Sequence, residues 1–225
     1  MRGIVDMDYE GLDADTINNG RALNSAFIQH ALAVGEQEVF AGRLDERLLS
    51  LDSVQRRRLA TVPFLLYTLD PLEPGTWQAG TATEDLFATA TGDPEWRLVT
   101  ATLALLWSLV RVNRYAARFL FGVPVARCDA IAAQPLMAVI DAARQSATGV
   151  VPRMAGNPAF WRKLLVSASD PREHVRRAAR QSALQCVLTV AAASDAPPLA
   201  SAACRRQPPA EISVAPSAPG RNRPT

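Results

Sequence analysis

The sequence predicts an all-α protein, and three observations carry that prediction. Apolar residues recur at helical spacing through two long segments, prolines and glycines punctuate the chain where helices would start and stop, and no two strand-like runs stand ready to pair. With 225 residues, 48% hydrophobic and 20% charged, the chain has enough apolar material for one large domain or two small ones.

Residues 1–14 form an acidic leader, with Asp6, Asp8 and Glu10. From Asp15 to Phe40, Leu23, Phe27, Ala31 and Val34 fall on one helical stripe that Ile28 widens, with Asp15 or Thr16 as the cap. After Gly42 come two short helices, Asp45 to Leu51 and Val54 to Thr61, the second capped by Asp52 or Ser53 and stopped by Pro63. The run Phe64 to Leu69 reads as helix or extended packing, because nothing strand-like is available to pair with it. Pro71, Pro74 and Gly75 then open a linker to Gly92, closing a first helical unit over residues 15–92.

The second unit, 93–192, starts at Asp93-Pro94, a cap followed by proline at the first helical position. One helix is predicted from there to Phe121, with Leu98, Thr102, Leu105, Leu109, Val112, Ala116 and Phe119 on one line and Leu103, Leu106 and Val110 on a second. One line enters the core; the other enters more core or a partner helix, so self-association or a protein partner through Leu98 to Phe121 is an expectation. Gly122 and Pro124 end this helix. Helices at Ala126 to Ala133, Pro135 to Ala147, Ala159 to Ser167 and Pro171 to Ala192 complete the unit, the last started by Asp170-Pro171, with a turn around Gly149, Pro152, Gly156 and Pro158. Beyond Ala193 the chain holds seven of its sixteen prolines in 33 residues, and a disordered tail is expected.

The two units share an order of parts, with Gly42 and Gly122 eighty residues apart, which suggests duplication of one supersecondary unit or a coincidence of helical composition. The run Ala116 to Val123, then Cys128 to Ile131, then Pro135-Leu136-Met137, resembles the D subunit of the bacterial flagellar master transcription regulator. The resemblance covers Leu98 to Ala147, with an echo from Asn24 to Leu69. It implies a helical, helix-turn-helix-like module of a DNA-binding hetero-oligomer. The chain is far longer than that subunit and lacks the clustered zinc cysteines of its partner, so a regulatory helical module is what the resemblance implies here.

Charge is unevenly placed. Residues 1–97 hold 8 basic and 16 acidic side chains, and residues 98–225 hold 16 basic and 6 acidic, so the halves attract each other or the basic half meets an anionic partner. Leu98 to Val110 is the longest uncharged stretch of the most apolar region, and its thirteen residues fall short of the roughly 20 that cross a bilayer. An acidic N-terminus unlike a signal peptide, and three widely spaced cysteines, Cys128, Cys186 and Cys204, predict a cytoplasmic protein with no membrane contact.

Catalysis and cofactor binding find little support. His30 and His174 are the only histidines, neither belongs to a metal-binding pair, and no glycine-rich phosphate loop is present. Two basic features remain as candidate contacts to double-stranded DNA. Gln55-Arg56-Arg57-Arg58 lies on a short helix after a tight turn, where base-reading side chains would stand. Arg172, Arg176 and Arg180 recur every four residues with Arg177 beside them, a row suited to phosphates. Both sets also fit a solvated face or a complement to the acidic half. The sequence thus predicts a non-enzymatic regulatory protein, a DNA-associated transcriptional regulator subunit or a helical interaction module without nucleic-acid contact.

Overall fold

A computed structural model describes residues 12–34, 47–70, 93–146 and 148–195. Expectations for the leader before residue 12, Gly42, the linker 71–92 and the tail from residue 196 lie outside them. Helix α1 spans Ala14–Val34. Its cap is Asp13, whose carboxylate accepts from the Thr16 amide, so the start lies earlier than Asp15 or Thr16. Leu23, Phe27, Ile28 and Ala31 are buried, as their spacing requires.

Residues 47–49 are helical, and α2 follows at Ser53–Ala60. Asp52 caps α2 through the amides of Val54 and Gln55, while the Gln55 side chain accepts from the Asp52 amide. Tyr67–Asp70 is strand β1. It pairs antiparallel with β2, Gly149–Pro152, in the register Tyr67↔Pro152 to Asp70↔Gly149. Of the two readings of Phe64 to Leu69, the helical one is corrected and the extended one holds for residues 67–69, which do find a partner: a four-residue segment about eighty positions away that reads as a turn.

Helix α3, Pro94–Val112, starts as expected, with Asp93 accepting from the Glu95 amide and Pro94 in the first turn. The single helix to Phe121 is not formed. Asn113 leaves the helical region (φ −147°, ψ 91°), and its side chain accepts from the Ala116 amide to cap a new helix, α4, Arg114–Phe121. Asparagine offers the backbone a local acceptor in place of the helical one, and here that competition breaks the helix. Gly122 ends α4 in the left-handed conformation (φ 73°).

Helices α5, Val125–Ala132, and α6, Leu136–Gln145, precede β2. Asn157 caps α7, Pro158–Ser169. The last helix, α8, spans Glu173–Asp195 and begins two residues after Pro171, which stays outside it. Asp170 closes α7 and accepts from the Arg172 amide.

Both segments feed one core. The Phe27 ring stacks on Tyr67 at 4.8 Å, and Phe64 sits 6.1 Å from Phe160 and 6.4 Å from Phe119. The Tyr67 hydroxyl meets Thr102, whose own hydroxyl bonds Leu98 O. The Glu95 carboxylate accepts from the Val150 amide at 3.0 Å and stands 3.9 Å from His30, tying α1, α3 and β2 together.

On the two lines of the Leu98 to Phe121 segment, Leu98, Thr102, Leu103, Leu106, Leu109 and Val110 are buried within the chain itself, which leaves no continuous apolar stripe there for a partner helix. Only Val112, 75% exposed, and Tyr115 remain as large exposed apolar side chains on this segment, either side of the break. No described helix is long and apolar enough to cross a membrane.

Candidate functional site

Each predicted DNA-contacting side chain has a specific placement. Gln55 is engaged at the start of α2, its carbonyl oxygen accepting from the Asp52 amide at 3.0 Å, so it holds the helix end in place of facing a base. Arg56 is half-buried and donates through Nη2 to Leu49 O at 3.2 Å. Its Nε is buried without an acceptor. Arg58 is half-buried, and Arg57 alone of the four is exposed.

The arginine row on the last helix is turned toward its neighbour. Arg172, just before α8, holds Asp170 through Nε at 3.2 Å and Nη2 at 3.1 Å. These bonds, with the one from the Arg172 amide, keep the Asp170 carboxyl below the ordinary carboxylate range. Arg176 donates to the carbonyls of Asp170 at 2.9 Å and Pro171 at 2.8 Å, covering the free carbonyl end of α7. Arg180 is half-buried with an unpartnered Nε. The four-residue spacing is real, but it lies on the flank facing α7, because Ala183 and Val187 on the same flank enter the core. Arg177 points outward and pairs with Glu173 at 2.9 Å, both side chains more than 70% exposed.

The fold also assembles cations from outside the predicted set. Helix α7 packs on both α2 and α8. It contributes exposed Arg162 and half-buried Lys163, whose Nζ lies 3.5 Å from Cys186 Sγ. Within the three helices and their caps, Asp52, Asp170 and Glu173 are the only acidic residues up to position 190, against Arg56, Arg57, Arg58, Arg162, Lys163, Arg172, Arg176, Arg177 and Arg180. Arg57 and Arg162 have no carboxylate partner among the described residues. The sequence held a signal for Arg162: Phe160, Trp161, Leu164 and Leu165 mark the inward face of α7, which turns position 162 to solvent.

A second cation escaped sequence reading. Arg153, between Pro152 and a turn, is 5% exposed. Its Nη1 donates to Leu120 O at 3.1 Å and Leu65 O at 3.4 Å, and Nη2 to Phe119 O at 3.1 Å. It thereby covers the carbonyl end of α4, with its guanidinium over the Phe64 ring at 5.4 Å. Burial pushes its pKa down to about 10, so the group stays a cation at neutral pH. Nothing in a lone arginine beside a proline announces this.

Cys128 and Cys186 are free thiols, and His174 is exposed. Among the described residues no group of three His, Cys, Asp or Glu side chains converges as a metal would need. No protein-family model matches the chain, and neither does any curated protein or solved structure.

Proposed function

We propose that the protein is a non-enzymatic, cytoplasmic regulatory factor that associates with duplex DNA through the layer formed by α2, α7 and α8, by contacts to phosphates more than to bases. The observation that carries this reading is the concentration of cations on α7 and on the two helices that pack against it, α2 and α8, with few acidic side chains among them. Arg57, Arg162 and Arg177 are its working members. The first two are exposed without a carboxylate partner among the described residues, and the Arg177–Glu173 pair is exposed enough to exchange its partner for a phosphate at small cost. Base reading is a minor part of this proposal, since Gln55 and Arg56 are engaged within the fold. The resemblance of Leu98 to Ala147 to a flagellar regulator subunit points the same way.

The test is fluorescence anisotropy of a labelled duplex at low salt with the wild type and with Arg57→Ala/Arg162→Ala/Arg177→Ala. All three positions are exposed, so the variant should fold normally and bind at least about tenfold more weakly. Equal binding by both proteins would remove the layer from the account. No binding by either would leave the helical interaction module, for which exposed Leu188 and Val190 on α8 are part of the available apolar surface.

A further inference from the structure

Arg153 lines a cleft of about 260 Å³ together with Thr68, Arg118, Gly122, Val123, Pro124, Met154, Val187 and Val190. Four of these, Val123, Met154, Val187 and Val190, give the cleft an apolar wall, while Arg153, Arg118 and Thr68 are its polar lining residues. A buried arginine is ordinarily matched by a carboxylate. Arg153 has none within ion-pair distance among the described residues, and it is held by backbone carbonyls alone.

The geometry of that holding leaves a specific vacancy in its bonding. Nη1 and one hydrogen of Nη2 are directed at the adjacent carbonyls of Leu120 and Phe119. The Nε hydrogen and the second Nη2 hydrogen have no acceptor among the described residues, and together they form the side-on fork that a carboxylate fits with two parallel bonds.

The surrounding backbone packs closely on the faces of this group, and a glycine is needed for it to do so. Gly122 sits against the guanidinium so closely that a Cβ there would meet Nη2, Cζ and Nε at 3.1 to 3.2 Å. Met154, the next residue after Arg153, holds a left-handed backbone (φ 55°), a conformation that side-chain-bearing residues adopt at a cost and that gathers at binding sites.

We propose that this cleft binds a small monocarboxylate with an apolar body, its carboxylate on the free edge of Arg153 and its hydrocarbon part against Val123, Met154, Val187 and Val190. A carboxylate suits the site better than a phosphate. One fork edge supplies two donors for the two oxygens of a carboxylate, and the four apolar lining residues favour a ligand with a hydrocarbon body, which inorganic phosphate lacks.

Octanoate is the probe, titrated into the full-length chain by calorimetry, with 1-octanol and inorganic phosphate as comparison ligands. Saturable binding of octanoate is expected, with octanol and phosphate each at least about tenfold weaker. Val190→Trp, at a half-exposed position on the cleft wall, should weaken octanoate by a similar factor while leaving the thermal unfolding midpoint in place. Arg153→Lys should also weaken octanoate, by removing the fork while keeping the charge, at some cost in stability because the α4 carbonyls lose donors. Where the lysine variant fails to fold, Val190→Trp decides. Absence of saturable octanoate binding, equal affinity for octanol or phosphate, or an unchanged affinity in Val190→Trp would overturn the proposal and leave Arg153 as a structural cap of α4.

Discussion

Replacing Asn24 with leucine should remove a large part of the stability of this fold. Asn24 is fully buried in α1, where its amide nitrogen donates to Phe64 O at 2.9 Å and Ala60 O at 3.3 Å, and its oxygen accepts from the Leu66 amide at 2.8 Å. Ala60 is the last residue of α2, where the carbonyl has no partner within the helix, and Phe64 and Leu66 lie in chain that is neither helix nor strand, so those backbone groups rely on this one side chain. Leucine keeps the branched outline and the number of heavy atoms, is somewhat larger, and makes none of these bonds. Each stranded polar group costs about 1–3 kcal/mol, and with partial relaxation and the gain from an added apolar side chain the expected loss is about 3–5 kcal/mol. A domain of this size has about 5–15 kcal/mol in total, so the variant should be close to its threshold. Urea unfolding followed by far-ultraviolet circular dichroism measures the loss, with the denaturant slope reporting whether the unfolded state has changed. A loss below about 1 kcal/mol would refute the reasoning, because it would mean that the 60–66 segment satisfies its own backbone.

Two further substitutions test other parts of the fold. Gly122→Ala places a Cβ in a left-handed residue and against the Arg153 guanidinium, and should cost about 2 kcal/mol in the same denaturation assay; an unchanged midpoint would show that the α4 cap tolerates a side chain. Burial drives the Tyr67 phenol far above its ordinary value, despite its bond to Thr102. The neutral form therefore stabilises the fold below the unfolded pKa of about 10, and the unfolded chain ionises first as pH rises beyond it, so stability falls by up to about 1.4 kcal/mol per pH unit from that group. Tyr67→Phe has no such ionisation, and the advantage of the wild type over this variant at pH about 8 should shrink between pH about 10 and 11. A constant difference over that range would mean that Tyr67 is not sealed in the core.

Much of the architecture was legible because its determinants are local. Asp93-Pro94 and Asp52 start helices whatever packs against them, and the Leu23, Phe27, Ala31 stripe needs only the helical period. The break at Asn113 was hidden because apolar spacing continues across it from Leu109 to Ala116 and Phe119, so periodicity alone joined two helices into one. The sheet was hidden for a different reason: β2 has four residues, and its partner lies about eighty positions away, where no local rule connects them. The arginine row showed a third limit. Spacing places Arg172, Arg176 and Arg180 on one flank, but only the packing of α7 against α8 decides that Arg176 and Arg180 are half-buried and that Arg172 and Arg176 are bonded to Asp170 and Pro171. Gln55 could have been read as a helix-start residue, since Asp52 stands three positions before it in the pattern of a capping box. Arg162 and Arg153 acquire meaning only through neighbours supplied by distant parts of the chain.

The salt dependence of duplex binding is the sharpest probe of phosphate contact by α2, α7 and α8. Three arginines each displacing a counterion give a slope of about −3 for log affinity against log salt, and the Arg57/Arg162/Arg177 triple alanine variant should lie near zero. A wild-type slope that the triple variant reproduces, or no affinity for a duplex even at low ionic strength, would contradict a phosphate-binding role for the α2–α7–α8 layer.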